Sequence, residues 1–213
     1  MPAKIDFKKT LDAYQARHNE FRIVDVEPQQ YLMVDGHGAP GEDSAYSAAI
    51  AALYPVAYTL KFASKALDRD YVVPPLEALW WAEDMDAFTT GRDKSQWDWT
   101  AMILTPEWIT EQMFQDAVAA VIAKSKTPES VPVSLAKVRL NTLDEGLCVQ
   151  TLHFGPYDDE AEILAQMHTE FIPEQGLRMT GKHHEIYFND FRKVEASKLR
   201  TLLRQPVERV AEG

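Results

Sequence analysis

The chain has a single cysteine, Cys148, in 213 residues. One thiol supports neither an intramolecular disulfide framework nor a cysteine-based zinc site, and its place inside an apolar run reads as an inert core residue. Basic residues are also in deficit: 22 Lys and Arg stand against 33 Asp and Glu, for a formal net charge of −11. Binding a phosphate backbone needs Lys/Arg patches, so nucleic acid is not an expected partner. The acidic balance favours cationic or neutral ligands over anionic ones. The N-terminal stretch is too short for a helix-turn-helix reader, which takes two packed helices and a basic face. No apolar run approaches the roughly 20 residues that cross a bilayer, so no membrane partner is expected. Met1-Pro2-Ala3-Lys4-Ile5-Asp6 lacks the apolar core of a signal peptide, which makes a cytoplasmic location the default expectation. Gly-x-Ser-x-Gly is absent, and Gly36-His37-Gly38 is a short turn without the following Lys-Ser/Thr of a phosphate loop. No cofactor is expected.

What is present is an ordinary globular composition, 46% apolar and 26% charged, in a length that holds one large domain or two small ones. Residues 4–20 are expected to form a short helix, packed through Leu11 and Tyr14 on the outside of the domain, as part of an N-terminal helical extension over residues 1–24. Val24 to Asp35 is strand-like, interrupted by Pro28. Tyr46, Ile50, Leu53, Ala57, Leu60, Ser64 and Leu67 then follow the 3- and 4-residue steps of a long helix, in which Pro55 should impose a kink. Residues 110–123 read as a second amphipathic helix, and the Pro-bearing loop at 127–132 as the best boundary. Residues 135–140 and 147–153 flank Asn141-Thr142-Leu143-Asp144-Glu145-Gly146 in the manner of a hairpin. Asp158 to Glu174 makes a further helix with an acidic first turn, packed through Ile163, Met167 and Phe171.

The most informative stretch is Lys182-His183-His184-Glu185-Ile186-Tyr187-Phe188-Asn189. Its aromatic and β-branched content reads as a strand, which puts His183, Glu185 and Tyr187 on one face and Ile186 and Phe188 on the other. A carboxylate in mid-strand beside aromatics is costly if desolvated, unless a hydrogen bond or a cation compensates it. Either that face is solvated and Glu185 is a surface charge, or Glu185 is a cation partner or proton acceptor. A second copy favours use: Pro74-Pro75-Leu76-Glu77-Ala78-Leu79-Trp80-Trp81 is again a strand with one central Glu followed by aromatics. The order strand, helix, strand with Glu, strand occurs twice, which predicts two tandem modules.

The histidines do not suggest a metal. His183 and His184 are adjacent on a strand, point to opposite faces and cannot chelate one ion together. His153 could in principle meet His183 and Glu185, but hydrogen-bonded or surface histidines are the simpler reading, and no metal is expected. The aromatics carry more. Trp80, Trp81, Trp97 and Trp99 are four of five tryptophans and fall on two neighbouring strand candidates. They make either a Trp-rich core or, with the carboxylates on the same strands, a pocket for flat, apolar, often cationic molecules. Met102 and Met167 would add adaptable walls.

The run Glu145-Gly146-Leu147-Cys148-Val149-Gln150-Thr151-Leu152-His153-Phe154-Gly155-Pro156-Tyr157, then Gly181-Lys182-His183-His184-Glu185-Ile186-Tyr187, then Lys198-Leu199-Arg200-Thr201-Leu202-Leu203-Arg204-Gln205-Pro206, resembles the GyrI-like small-molecule-binding family. Ala52-Leu53-Tyr54, Tyr58-Thr59-Leu60-Lys61-Phe62 and Pro75-Leu76-Glu77-Ala78-Leu79-Trp80-Trp81 match its stand-alone branch, which has no DNA-binding domain. The resemblance implies an α+β fold of two tandem strand–helix–strand–strand (SHS2) modules with pseudo-twofold symmetry. Residues 25–213 would form the domain, with module one at about 25–126 and module two at about 133–207. It implies an antiparallel sheet with a ligand cleft between the helices. Glu185 would lie at the cleft floor, with Tyr187, Tyr157 and Trp80 or Trp81 as walls. Glu77, Trp99, His153, Met167 and His183 complete the candidate ligand-binding set. The expected partner is a bulky aromatic or cationic xenobiotic. Part of this branch resembles enzymes that hydrolyse the cyclopropane of DNA-alkylating antibiotics of the yatakemycin type. In that reading Glu185 is the base, and Tyr187 or Tyr157 donates a proton to the dienone oxygen. The alternative is a non-catalytic ligand-sensing or drug-sequestering module. A gyrase-binding inhibitor, by family analogy and acidic charge, ranks behind both.

Overall fold

The structure, a computed structural model, describes residues 4–83, 93–190 and 192–210; the first three residues of the expected N-terminal extension and the last three of the chain lie outside them. Its helices are α1 (Phe7–Thr10), α2 (Ala45–Ala66), α3 (Glu111–Lys124), α4 (Glu160–Gln166) and α5 (Ile172–Glu174). Its strands are β1 (Arg22–Val26), β2 (Gln29–His37), β3 (Leu76–Trp81), β4 (Asp98–Thr105) and β5 (Arg139–Leu143), followed by β6 (Gly146–Phe154), β7 (Leu177–Met179), β8 (His183–Tyr187) and β9 (Arg200–Arg209). The class is α+β with antiparallel strand pairing, as expected. No helix among the described residues is long and apolar enough to cross a membrane. The chain divides into two compact units. The first holds Gln29–Pro74 and Trp80–Leu143 with the residues up to Thr10; the second holds Leu11–Pro28, Pro75–Leu79 and the chain from Asp144 onward.

In the first unit the strand order is β3-β4-β2-β5. Pro28, which has no amide to donate, falls between β1 and β2, so the expected break is where the strands part. Helix α2 starts at Ser44, whose hydroxyl caps it by accepting from the Ser47 amide at 3.2 Å. It runs unbroken through Pro55, where the carbonyl takes the Thr59 hydroxyl at 2.8 Å. Ala49, Ala52, Leu53, Val56 and Leu60 are its buried stripe, and it packs on β2, β4 and α3. Thr110 caps α3 in the same way as Ser44 caps α2.

In the second unit the order is β1-β6-β9-β8-β3, with β7 paired to the end of β9. Residues directly opposite across antiparallel strands share a face. One row therefore runs Arg22, Gln150, Arg204, His184, and the next Thr151, Leu203, Glu185. The two faces are covered differently. Val149, Leu203 and Val207 on one face pack under Ile163, Met167 and Ile172 of the helical segment. On the other, Cys148, Val24 and Val26 meet Ala13 and Leu11.

Two sequence expectations need correction. Residues 4–20 are not one helix: α1 and a 3₁₀ turn at Asp12–Tyr14 are separated by extended backbone, and Ala13 and Tyr14 are buried rather than peripheral. The expected hairpin across 135–153 is replaced by other pairings, β5 with β2 and β6 with β1 and β9. Strand β6 is buried over most of its length, so it takes a partner on each edge, whereas β5 exposes Asn141 and Thr142. The helix expected over 158–174 is present, built as a 3₁₀ turn, α4, a π-helical turn at Met167–Phe171 and then α5. Such turns insert one residue into the helical repeat and often lie at functional sites.

Candidate active site

Strand β8 carries the site. Alternation along it separates His183, Glu185 and Tyr187, which face the helical segment, from His184 and Ile186. The Tyr187 hydroxyl donates to Glu185 Oε2 at 2.7 Å. Glu185 Oε1 lies 3.4 Å from His183 Nε2, and the glutamate side chain is 14% exposed. Tyr157, in the 3₁₀ turn ahead of α4, meets the Tyr187 ring edge-on with centroids 5.6 Å apart. Burial raises the Tyr157 phenol above its ordinary value, and the charges of Glu185, Glu160 and Asp190 add to the effect. It therefore stays protonated at neutral pH and is a proton donor. Thus Glu185 and Tyr187, half-buried, are brought together with buried His183 and the more exposed Tyr157 on one face of one unit. His153 shares that face through the pairing His153–Thr201–Tyr187, with Nε2 3.3 Å from the Pro156 carbonyl.

The reverse face of β8 holds a buried ionic cluster that sequence reasoning did not assemble. His184 Nε2 is 3.0 Å from Glu77 Oε2, and its Nδ1 is 2.9 Å from Glu145 Oε1. Arg204 donates to Glu145 Oε2 at 2.7 Å, to Gln150 Oε1 at 3.0 Å and to the Ala13 carbonyl at 2.5 Å. The Tyr14 hydroxyl donates to Glu77 Oε1. Glu77, His184 and Arg204 are fully buried. Burial alone would push His184 down, but Glu145 through charge and hydrogen bond, and Glu77 through hydrogen bond, raise it above its ordinary value. Burial likewise opposes ionisation of Glu145, yet His184 and Arg204 hold it down at about 2. Glu145 is thus balanced by His184 and Arg204, and Glu77 is hydrogen-bonded to His184 and Tyr14, which makes so polar a cluster tolerable in the interior. Glu77 and His184 drew notice in the sequence. The missed signal was Arg204, a cation in the middle of β9 between Leu203 and Gln205, where the strand is buried.

The remaining candidates lie elsewhere in the fold. Glu77 is enclosed by the cluster rather than open to a ligand. Met167 is fully buried in the core of the second unit. In the first unit Trp80 and Trp99 are 4% and 1% exposed and pack on Tyr46, with centroids at 5.2 and 5.0 Å. Trp97 closes on Trp80 edge-on at 5.6 Å, and Trp81 is partly exposed. Of the two readings of the tryptophans, a Trp-rich core describes Trp80 and Trp99. No three His, Cys, Asp or Glu among the described residues are grouped so as to hold a metal ion.

Glu185 and its tyrosine partner thus sit on one sheet face under the helical segment of an α+β fold. The chain belongs to the GyrI-like small-molecule-binding domain family, whose model matches residues 19–208. A conserved protein of Listeria innocua, solved without an assigned function, is 37% identical with a TM-score of 0.85, over 96% of this chain and 100% of that one. A protein solved as a hydrolase from the same organism is 36% identical with a TM-score of 0.81, over 96% and 100%. The C-terminal domain of EcmrR, at 13% identity and a TM-score of 0.55 over 90% and 98%, shares the fold alone. No curated protein matches the chain.

Proposed function

We propose that the chain is a detoxifying hydrolase that binds bulky aromatic, neutral or cationic xenobiotics and adds water to the cyclopropane of DNA-alkylating antibiotics of the yatakemycin type. The observation that carries this reading is the 2.7 Å hydrogen bond from Tyr187 to Glu185 on the half-buried face of β8. The 36% identity to a protein solved as a hydrolase supports it. The recurrence of strand, helix, strand and strand in β2-α2-β3-β4 and β6-α4-β8-β9 supports two tandem modules as the framework.

Opening a cyclopropane conjugated to a dienone needs a base at the water and an acid at the dienone oxygen. Glu185 takes a proton from water as the water oxygen bonds to the ring carbon. The ring C–C bond breaks, and its electron pair passes to the dienone oxygen, which takes a proton from Tyr157 or Tyr187. With Tyr187 as the donor, the proton on the carboxyl returns to it across their hydrogen bond and the pair resets without an outside proton; with Tyr157 as the donor, Glu185 gives its proton to solvent and the phenolate takes one back. The test is mass spectrometry of such an antibiotic after incubation with the protein. The expected outcome is a gain of one water over many turnovers, falling about 10²–10⁴-fold in Glu185→Gln while the neutral drug still binds. Binding without any water gain would select the non-catalytic module instead.

A further inference from the structure

The two oxygens of Glu185 have different neighbours. Oε2 accepts the Tyr187 hydroxyl, while Oε1 faces His183 Nε2 at 3.4 Å without a hydrogen bond between them. His183 is 8% exposed, and neither of its ring nitrogens has a hydrogen-bond partner within the protein. The same holds for Nε2 of His168, which is buried. His168 lies in the π-helical turn Met167–Phe171 above β8, and its ring meets that of His183 edge-on with centroids 6.2 Å apart. That separation suits a bridging molecule better than a direct hydrogen bond. Buried polar nitrogens left unpaired cost free energy. An internal water is stable where a few polar groups converge on it, typically about three. Here Glu185 Oε1, the oxygen not bonded to Tyr187, lies 3.4 Å from one imidazole nitrogen, and a second imidazole packs on the first.

We infer that the hydrolytic water is held between Glu185 Oε1, His183 and His168, with the π-helical turn supplying His168 as its outer support. This rests on the hydrolase reading and adds to it the position of the nucleophile. Oε1 accepts one water proton, and a neutral imidazole accepts the other, which leaves the oxygen lone pair for attack. Burial and the neighbouring His183 push His168 down to about 4, so it is neutral at physiological pH and able to accept. Glu185 keeps Oε2 on Tyr187, so substrate and water approach the carboxylate from different sides.

Two readouts test it. A high-resolution crystal structure of the unliganded protein at neutral pH should show a water within hydrogen-bond distance of all three groups. Turnover of a cyclopropane-bearing antibiotic of the yatakemycin type should fall by about 10–100-fold in His168→Phe with KM within about twofold of wild type. His168→Gln, whose amide reaches where Nε2 lies, should recover most of that loss. A map without the water, wild-type turnover in His168→Phe, or His168→Gln as impaired as His168→Phe would each overturn the water site. A wild-type protein that shows the water but never hydrates the drug would overturn the hydrolase assignment and leave the water site standing.

Discussion

Glu77 and Glu185 read alike in the sequence, each a lone carboxylate in an aromatic strand, yet their surroundings assign them different tasks. Glu185 is 14% exposed and bonds a tyrosine on the helix side of β8. Glu77 is fully buried against His184 and Tyr14. Period-two alternation placed His183, Glu185 and Tyr187 together, because facing depends only on local backbone geometry. It could not show that Glu145 meets His184 and Arg204, or that Tyr14 meets Glu77, because that depends on the register of β8 on β9 and on the path of the N-terminal segment. The contrast predicts opposite phenotypes. His184→Ala leaves Glu77 and Glu145 without their shared cation and should cost about 3–5 kcal/mol in urea denaturation. Glu185→Gln, losing at most one hydrogen bond, should cost about 1 kcal/mol or less. Equal costs for the two would mean that the buried cluster does not stabilise the unit.

Elements whose own pattern decides them were legible. The strand centred on Glu185, the break at Pro28, the long helix α2 and the capped helix α3 all follow from alternation, helical spacing and Pro or Thr signals. Elements decided by partners were not. The 135–153 stretch has hairpin composition, but β6 is buried on both faces and is claimed by β1 and β9. The N-terminal segment has too few apolar residues to specify a helix and is ordered by burial of Ala13 and Tyr14. The pairing of β2 with β4 gives a sharp test. Gly36 lies opposite Trp99, and a Cβ there would stand 2.2 Å from the ring. Trp99 is buried and donates Nε1–H to the Gly38 carbonyl at 3.1 Å, so the ring has no room to yield. Gly36→Ala should therefore destabilise the first unit by about 1–3 kcal/mol. Trp99 emission should move to the red as the indole loses its enclosure; an unchanged spectrum and midpoint would refute the packing argument.

For the molecule as a whole, the formal charge of −11 makes stability sensitive to pH, and the buried cluster adds a component with a definite sign. His184 has a folded pKa raised above its ordinary 6.5. Its contribution is complete below about that value and is lost as pH rises through the folded pKa. Glu145 is lowered from 4.5 to about 2; its contribution is present above 4.5 and is lost as pH falls towards 2. The two windows overlap between about 4.5 and 6.5, where the cluster stabilises most. Repulsion among the many surface carboxylates also weakens the fold at high pH, so a falling midpoint in the wild type alone would not identify the cause. The difference between wild type and His184→Gln removes that background, since both proteins share the surface. Urea midpoints measured from pH 5 to pH 9 should show this difference largest at pH 5–6 and shrinking towards alkaline pH, as the wild-type imidazolium loses its proton while the variant's amide has none to lose. A difference that stays constant across the range would mean that His184 is not the titrating centre of the cluster.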